Sequence, residues 1–414
     1  MTPEVKNRIE QLRHGIVPEG YKRTKAGIYP EDWEEYTLGD IYTERKEPGN
    51  ESLPLLMVSI HSGVSDGEVD EADLPKKVKR IEDKSQYKRA ATGDLVFNMM
   101  RAWQGAIGTV RTEGMVSPAY IVAEPNKLVD PLFMDYLMRT PRMVGAIHKQ
   151  SYGVTDFRLR LYWDSFAPIH CVLPSVPEQE KIGEAVDIQN KIIDLKEKLL
   201  AEKQRQKKYL MQQLLTDRMR LPGFDGEWMY VRANQIFRNV TDKKHNGTLE
   251  VLSATQDRGI IPRSLVDIDI KYAVESLTGY KKVAKGNFVI SLRSFQGGIE
   301  YSEYSGIVSP AYTVLSSIYP IEDNYYKQFF KSTDYINRLN IAVYGIRDGK
   351  QISYNDFGRI RIPYPPLDEQ KAIAAVLETA DKEIEILKRN IEQEKQKKKA
   401  LMQLLLTGIV RVNK

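Results

Sequence analysis

Few residues in this sequence have both the types and the spacing that catalysis needs. The segment GIRDGKQ, beginning at Gly345, comes nearest. It is like a loop that cradles phosphates with backbone N–H groups and a lysine. It is one residue short between its glycines, and Lys350 is followed by Gln351 where a magnesium-binding Ser or Thr would stand. The five histidines, His14, His61, His148, His170 and His245, are scattered without metal-ligand spacing. No glycine-rich turn has the strand-to-helix context of a dinucleotide site. Carboxylates are plentiful, but their places on helical stretches read as solvated faces, not nuclease ligands. The chain is expected to hold no metal and no cofactor and to catalyse nothing by itself.

Composition sets the frame for the elements around these residues. With 414 residues the chain is too long for one core and suggests two to four domains. Apolar residues make up 42% and charged residues 28%, which fits a soluble globular protein. No run of 18 apolar residues exists, and the polar start MTPEVKNRIEQLRHG has no signal-peptide core, so no membrane span is expected. Cys171 is the only cysteine, which excludes internal disulfides, fits a reducing, cytoplasmic setting, and reads as buried packing. Net charge is +5, from 61 basic and 56 acidic residues, which permits nucleic-acid binding without requiring it.

The strongest signal is an internal repeat. LMQQLLT at Leu210–Thr216 returns as LMQLLLT at Leu401–Thr407, 191 positions on. At nearly the same offset Glu178–Gln179 answers Glu369–Gln370, Tyr152–Asp156 answers Tyr344–Asp348, and GMVSPAY at Gly114 answers GIVSPAY at Gly306. MRAWQGAIG at Met100 answers LRSFQGGIE at Leu292, and Trp33 answers Trp228. The chain is therefore two copies of one unit, each a globular part followed by a long helix. The link after the first helix, RLPGFDGEW, has its counterpart at the N-terminus, in KAGIYPEDW. The repeat thus reads as a circle cut open, with the two chain ends close together and pseudo-two-fold symmetry between the halves.

Each helix follows a proline-rich entry, LPSVPEQEKI or IPYPPLDEQKAI, with acidic residues in its first turn. In the second helix Ile373, Leu377, Ala380, Ile384, Leu387 and Ile391 step by four and three, the seam of a coiled coil. In the first helix Ile188, Ile192, Leu195 and Leu199 form the corresponding stripe. At about 35 to 40 residues each helix is roughly 50 to 60 Å long. So narrow a seam needs a partner, and the two are expected to pair antiparallel. The globular parts read as α+β, with strands in DLVFNMM, MVSPAYIVA, NFVISL and IVSPAYTVL and a helix in PLFMDYLMRTPRMVGAIHK.

These motifs, PSVPEQ, PPLDEQ, LMQQLLT, LMQLLLT and RLPGFDGEW, resemble those of the specificity subunit of type I restriction–modification enzymes, over nearly the whole chain. Pro177 and Glu180 depart slightly from the family's entry motif, and IVRVNK lacks the Gly-Phe segment. The resemblance implies two target recognition domains, each reading half of a split, asymmetric site in double-stranded DNA. It also implies that two spacer helices serve as a platform for two methyltransferase subunits, joined by restriction/translocase subunits. Those partners supply S-adenosylmethionine and all chemistry. Boundaries are then expected at residues 1–176 (first recognition domain), 177–216 (first spacer helix), 217–366 (second recognition domain) and 367–414 (second spacer helix and tail). The helix length caps half-site centres near roughly 15 to 18 base pairs, with about 10 to 11 favoured because both lobes then face one side of the duplex.

Under that resemblance, residues shared by both copies are scaffold or phosphate contacts, and base readers lie among the unshared ones. Arg101 and Gln104 flank Trp103, as Arg293 and Gln296 flank Phe295. Two readings stay open for them: contact with phosphates or groove edges, or a tight Gln-Gly turn held by a buried ring. Arg158 and Arg160, and Arg347 and Lys350, occupy corresponding loops and are expected at DNA. Lys207–Lys208 and Lys397–Lys399 read as a solvated helix face, with contact to spacer phosphates as the alternative. Leu210, Leu214, Leu401 and Leu405 are expected to form exposed apolar helix ends that hold the partner subunits. Two other functions fit the same residues: a free-standing two-lobed DNA-binding regulator, and a nuclease with an unrecognised metal site.

Overall fold

The structure is a computed structural model that describes residues 2–50, 52–60, 62–65, 86–155, 158–266, 274–342 and 352–412. The chain forms two compact units, Met1–Lys196 with Ile391–Lys414, and Glu197–Asn390. Two helices of 39 residues, Val176–Leu214 and Leu367–Leu405, each contribute one part to each unit.

The first unit is built on a four-stranded antiparallel sheet in the order Tyr42–Arg45, Tyr120–Pro125, Leu95–Asn98, Ile107–Thr109. Helices Pro131–Met138 and Pro141–Gln150 start at Asp130 and Thr140, whose side chains accept the N–H of Phe133 and Met143, with proline at the first turn of each. They pack on a core that includes Trp33, Phe97, Phe133 and Phe166, all fully buried. Cys171 is buried in the same core, which pushes its thiol up to about 12. The second unit repeats the sheet order with Phe237–Val240, Thr313–Ser317, Phe288–Ile290 and Glu300–Tyr301. Its core is more aromatic, with Phe237, Phe288, Tyr326, Phe330 and Phe357 edge to face. The α+β class therefore holds in both units.

Two sequence readings change in detail. VSPAY is not the middle of one strand. Gly114–Val116 pairs with Lys88–Ala90 in a small sheet, the chain turns at Ser117, and Tyr120–Pro125 enters the large sheet. Gly306–Val308 and Thr313–Ser317 do the same in the second unit. The long apolar stretch from Pro131 is likewise two helices, because Thr140–Pro141 caps and starts a new one.

The helix pairing is antiparallel within each unit. In the first, Lys196 and Gln189 donate to Glu394 (2.8 and 2.7 Å), and Lys398 to Asn190 (2.6 Å). In the second, Lys203 meets Glu383 at 2.8 Å and Lys207 meets Asp381 at 2.5 Å. The seam of the second helix faces inward as expected: Ile373, Leu377, Ile384 and Ile391 are buried, and Ala380 and Leu387 are half-buried. The first helix turns a different face inward. Ile188, Leu195 and Leu199 are 59%, 66% and 48% exposed, whereas Ile182, Val186, Gln189 and Ile193 are buried. Continued by fours and threes, the buried stripe passes through Lys196, Leu200, Lys203, Lys207 and Leu210 to Leu214. Four of the ten positions of this seam are polar, so a search for apolar spacing finds the outer stripe instead. The lysine stems cover apolar surface while their heads reach acids.

The repeated leucines are also more buried than expected. Leu214 is fully buried in the second unit's core and Leu405 is 5% exposed in the first unit's; Leu210 and Leu401 pack beside them, half-buried. The expected exposed apolar helix ends are absent there, because the first helix's end plugs the second unit's core and the second helix's end plugs the first's. The two chain ends do meet. Tyr21 donates to the Gly408 carbonyl and Arg8 to that of Ile409, both at 2.6 Å.

Candidate nucleic-acid interface

In the first unit the strand Leu95–Asn98 runs into a tight turn. The Asn98 side chain accepts the Met100 N–H, a short 3-10 helix spans Ala102–Gln104, and Gly105 closes it at φ 103°. Only glycine adopts that backbone without strain. Ala102 is buried, and Trp103 packs inward against His148 with its indole N–H donated to the Met100 carbonyl at 2.9 Å. Arg101 and Gln104 are left exposed on the outer side. The half-buried ring thus braces the turn, and the turn leaves the Arg and the Gln at the surface.

The second loop is brought alongside by one backbone bond, Leu161 N–H to the Met99 carbonyl at 2.9 Å. Tyr152 and Arg160 exchange two backbone hydrogen bonds at the loop's neck. The Arg160 guanidinium donates to the Tyr162 hydroxyl at 3.3 Å, and the Tyr162 ring lies against Tyr152. Arg101, Gln104, Arg158 and Arg160 therefore converge on one concavity of about 770 Å³, completed by Met100, Trp103 and Leu159. Three guanidinium groups and one amide face it, and among the described residues no carboxylate lines it. Planar N–H forks of this kind match phosphate oxygens and guanine edges, and an amide matches adenine. Among the described residues the lining holds no nucleophile paired with a base.

The second unit builds the same turn with different atoms. The Ser294 hydroxyl accepts the Ser291 N–H at 2.8 Å, and Ser294–Gly297 forms one helical turn. Phe295 packs on the core, while Arg293 and Gln296 are exposed. Arg347 and Lys350 lie outside the described residues.

Two further clamps had no role in the sequence reading. The buried Glu369 takes two hydrogen bonds from Arg220 (2.6 and 2.7 Å) and one from the Trp228 indole (2.9 Å). In the first unit Arg411 holds Glu178 (2.6 Å, twice) and Asp32 (2.7 and 2.8 Å), and lies over Trp33. These carboxylates keep both guanidiniums charged, raised above their ordinary range chiefly by the hydrogen bonds themselves. The neighbouring glutamines cap the globular parts: Gln179 accepts the Asp130 N–H and Gln370 the Glu322 N–H, both at 2.9 Å. The EQ of each entry motif is thus a joint between helix and domain. The signal was present, since Arg220 and Arg411 stand 191 positions apart like the rest of the repeat. Among the described residues no group of three or more His, Cys, Asp or Glu is placed to hold a metal ion, and no helix is long and apolar enough to cross a membrane.

Residues 226–395 match the family described as the type I restriction modification DNA specificity domain. Along 95% of its length the chain is 24% identical to the provisionally named MjaX specificity subunit of a type I restriction enzyme of Methanocaldococcus jannaschii, covering 97% of that protein. Among solved structures, the HsdS subunit of Thermoanaerobacter tengcongensis superposes with a TM-score of 0.50 at 19% identity, covering 92% of this chain and 98% of its own. A chain of the type I R-M system, from a structure addressing complex assembly and conformational transition, superposes at 0.55 with 19% identity, covering 92% and 99%. The chain thus resembles type I specificity subunits in sequence over nearly its whole length, and in fold.

Proposed function

We propose that this chain, a relative of the type I specificity subunits, is the non-catalytic DNA-reading subunit of a type I restriction–modification complex. Each unit reads one half of a bipartite, asymmetric site in double-stranded DNA. Methyltransferase and restriction/translocase subunits assemble on the chain and carry out the chemistry in the cytoplasm. The observation that carries this reading is the concavity of the first unit, where two separate loops bring Arg101, Gln104, Arg158 and Arg160 together with no carboxylate among the described lining residues. Arg293 and Gln296 serve the second unit, with Arg347 and Lys350 proposed beside them. The framework is shared and the readers differ, so the half-sites are unlike in sequence.

The test uses the purified chain with S-adenosylmethionine and the host's DNA. No methyl transfer is expected until a methyltransferase subunit is added, and transfer by the pure chain would overturn the reading. With the partner present, Arg158→Ala or Arg160→Ala should weaken DNA binding by about 1–3 kcal/mol. A loss confined to one half-site would identify a base reader; a uniform loss with a shallower salt dependence would identify a phosphate contact.

A further inference from the structure

The two units carry the same groove in unequal form. In the first unit the last turns of the second long helix and the Thr140–Arg142 corner enclose about 510 Å³. Leu137, Met402 and Leu406 form its floor, and Lys395, Lys398, Lys399 and Arg142 its rim. Arg142 donates to the Tyr29 hydroxyl at 3.0 Å and lies over that ring; Lys398 donates to the Asn190 side chain at 2.6 Å. Both are thus held in place by neutral groups.

In the second unit the counterpart encloses only about 140 Å³. Lys208, Met211, Gln212 and Thr216 stand where Lys399, Met402, Gln403 and Thr407 stand in the first. At three positions on or beside the groove the second unit is the less positive. Asp334 stands for Arg142, Gln204 for Lys395, and Asp381 for Asn190. Asp381 neutralises Lys207, the counterpart of Lys398, at 2.5 Å. The first unit's groove is therefore wider, with no acidic side chain among its described lining residues, while the second's is narrow and balanced.

We propose that the groove of the first unit is a docking site for an acidic segment of a partner protein, one that seats apolar side chains on Leu137, Met402 and Leu406. The second unit lacks it. Charge complementarity chooses an acidic occupant. The apolar floor, with an adaptable methionine, chooses a peptide over a phosphate backbone, which would leave that floor uncovered. The site deepens the scaffold role proposed above, and rests on it only for the identity of the partner.

The test is fluorescence anisotropy of a labelled 18-residue helical peptide, with glutamates on one face and leucines on the other, titrated against the full chain. Binding should weaken as salt rises, and at least tenfold in Arg142→Asp/Lys395→Gln, which installs the second unit's residues. Lys395→Glu/Lys399→Glu alters only exposed rim positions and should do the same with the circular dichroism unchanged. Unaltered affinity in both variants would overturn the site. So would Arg142-dependent displacement of the peptide by duplex DNA of unrelated sequence, which would make it a phosphate site. No methyltransferase takes part, so failure here leaves the specificity-subunit reading standing.

Discussion

The clamp carboxylates show what a single residue does in this fold. Glu369 is buried, and three hydrogen bonds from Arg220 and Trp228 satisfy it. A buried charge stripped of its partner is costly, so Arg220→Ala should destabilise the second unit by about 3–5 kcal/mol in urea unfolding. Arg220→Met/Glu369→Gln removes both charges and should cost much less; equal losses would show that the pairing is not what matters. These residues were half legible. The EQ dipeptides stand out because both copies keep them at one offset. Their partners did not, because Arg220 and Arg411 lie past the helix ends, where the sequences around them diverge and only the fold brings the arginine back to the helix start. The converging loops around Arg101 and Arg158 were visible as separate motifs. Their junction rests on the Leu161–Met99 backbone bond, which leaves no trace in side-chain pattern.

Among elements, the long helices were readable in extent and in the second seam, but not in the first. Apolar spacing picks Ile188, Leu195 and Leu199, yet the buried stripe runs through Gln189 and Lys196. Hydrophobicity alone cannot reveal a seam whose polar members are paired across it. The two stripes make opposite predictions. Ile193→Ala should cost about 2–4 kcal/mol of first-unit stability, whereas Leu195→Ala should stay within about 0.5 kcal/mol. Comparable losses in chemical unfolding would mean that the outer stripe is also covered. The paired seam also has a pH signature. Hydrogen bonds from Lys196 and then Gln189 hold the Glu394 carboxyl below its ordinary range. A depressed folded-state value gives stability that is complete above the unfolded value, about 4.3, and is lost as pH falls through the lower one. Glu394→Gln should therefore flatten the first unit's acid unfolding curve in that window and leave it unchanged at neutral pH relative to its own acid value.

For the molecule as a whole, both helices run through both units, so their length is proposed to set the spacing of the half-sites. The seam repeats every seven residues, so an insertion must be a whole heptad in each helix, for example after Lys203 and after Glu383. That adds about 10.5 Å, or roughly three base pairs. Mapping methylated sites by sequencing in an active insertion mutant should show a spacer lengthened by about three base pairs and both half-site sequences unchanged. An unaltered spacer would sink the ruler.

The division of the chain into units also orders its birth on the ribosome. The second unit is one unbroken stretch, Glu197–Asn390, whereas the first closes only when Ile391–Lys414 arrives. Until then Glu178 lacks Arg411, Tyr21 lacks the Gly408 carbonyl, and the core containing Trp33 and Phe166 lacks Leu405 and Leu406. The part translated first is thus the last to be finished. A nascent chain stalled before Ile391 would display a completed second unit and an open first one, and that half-built form is the one a chaperone or protease would meet.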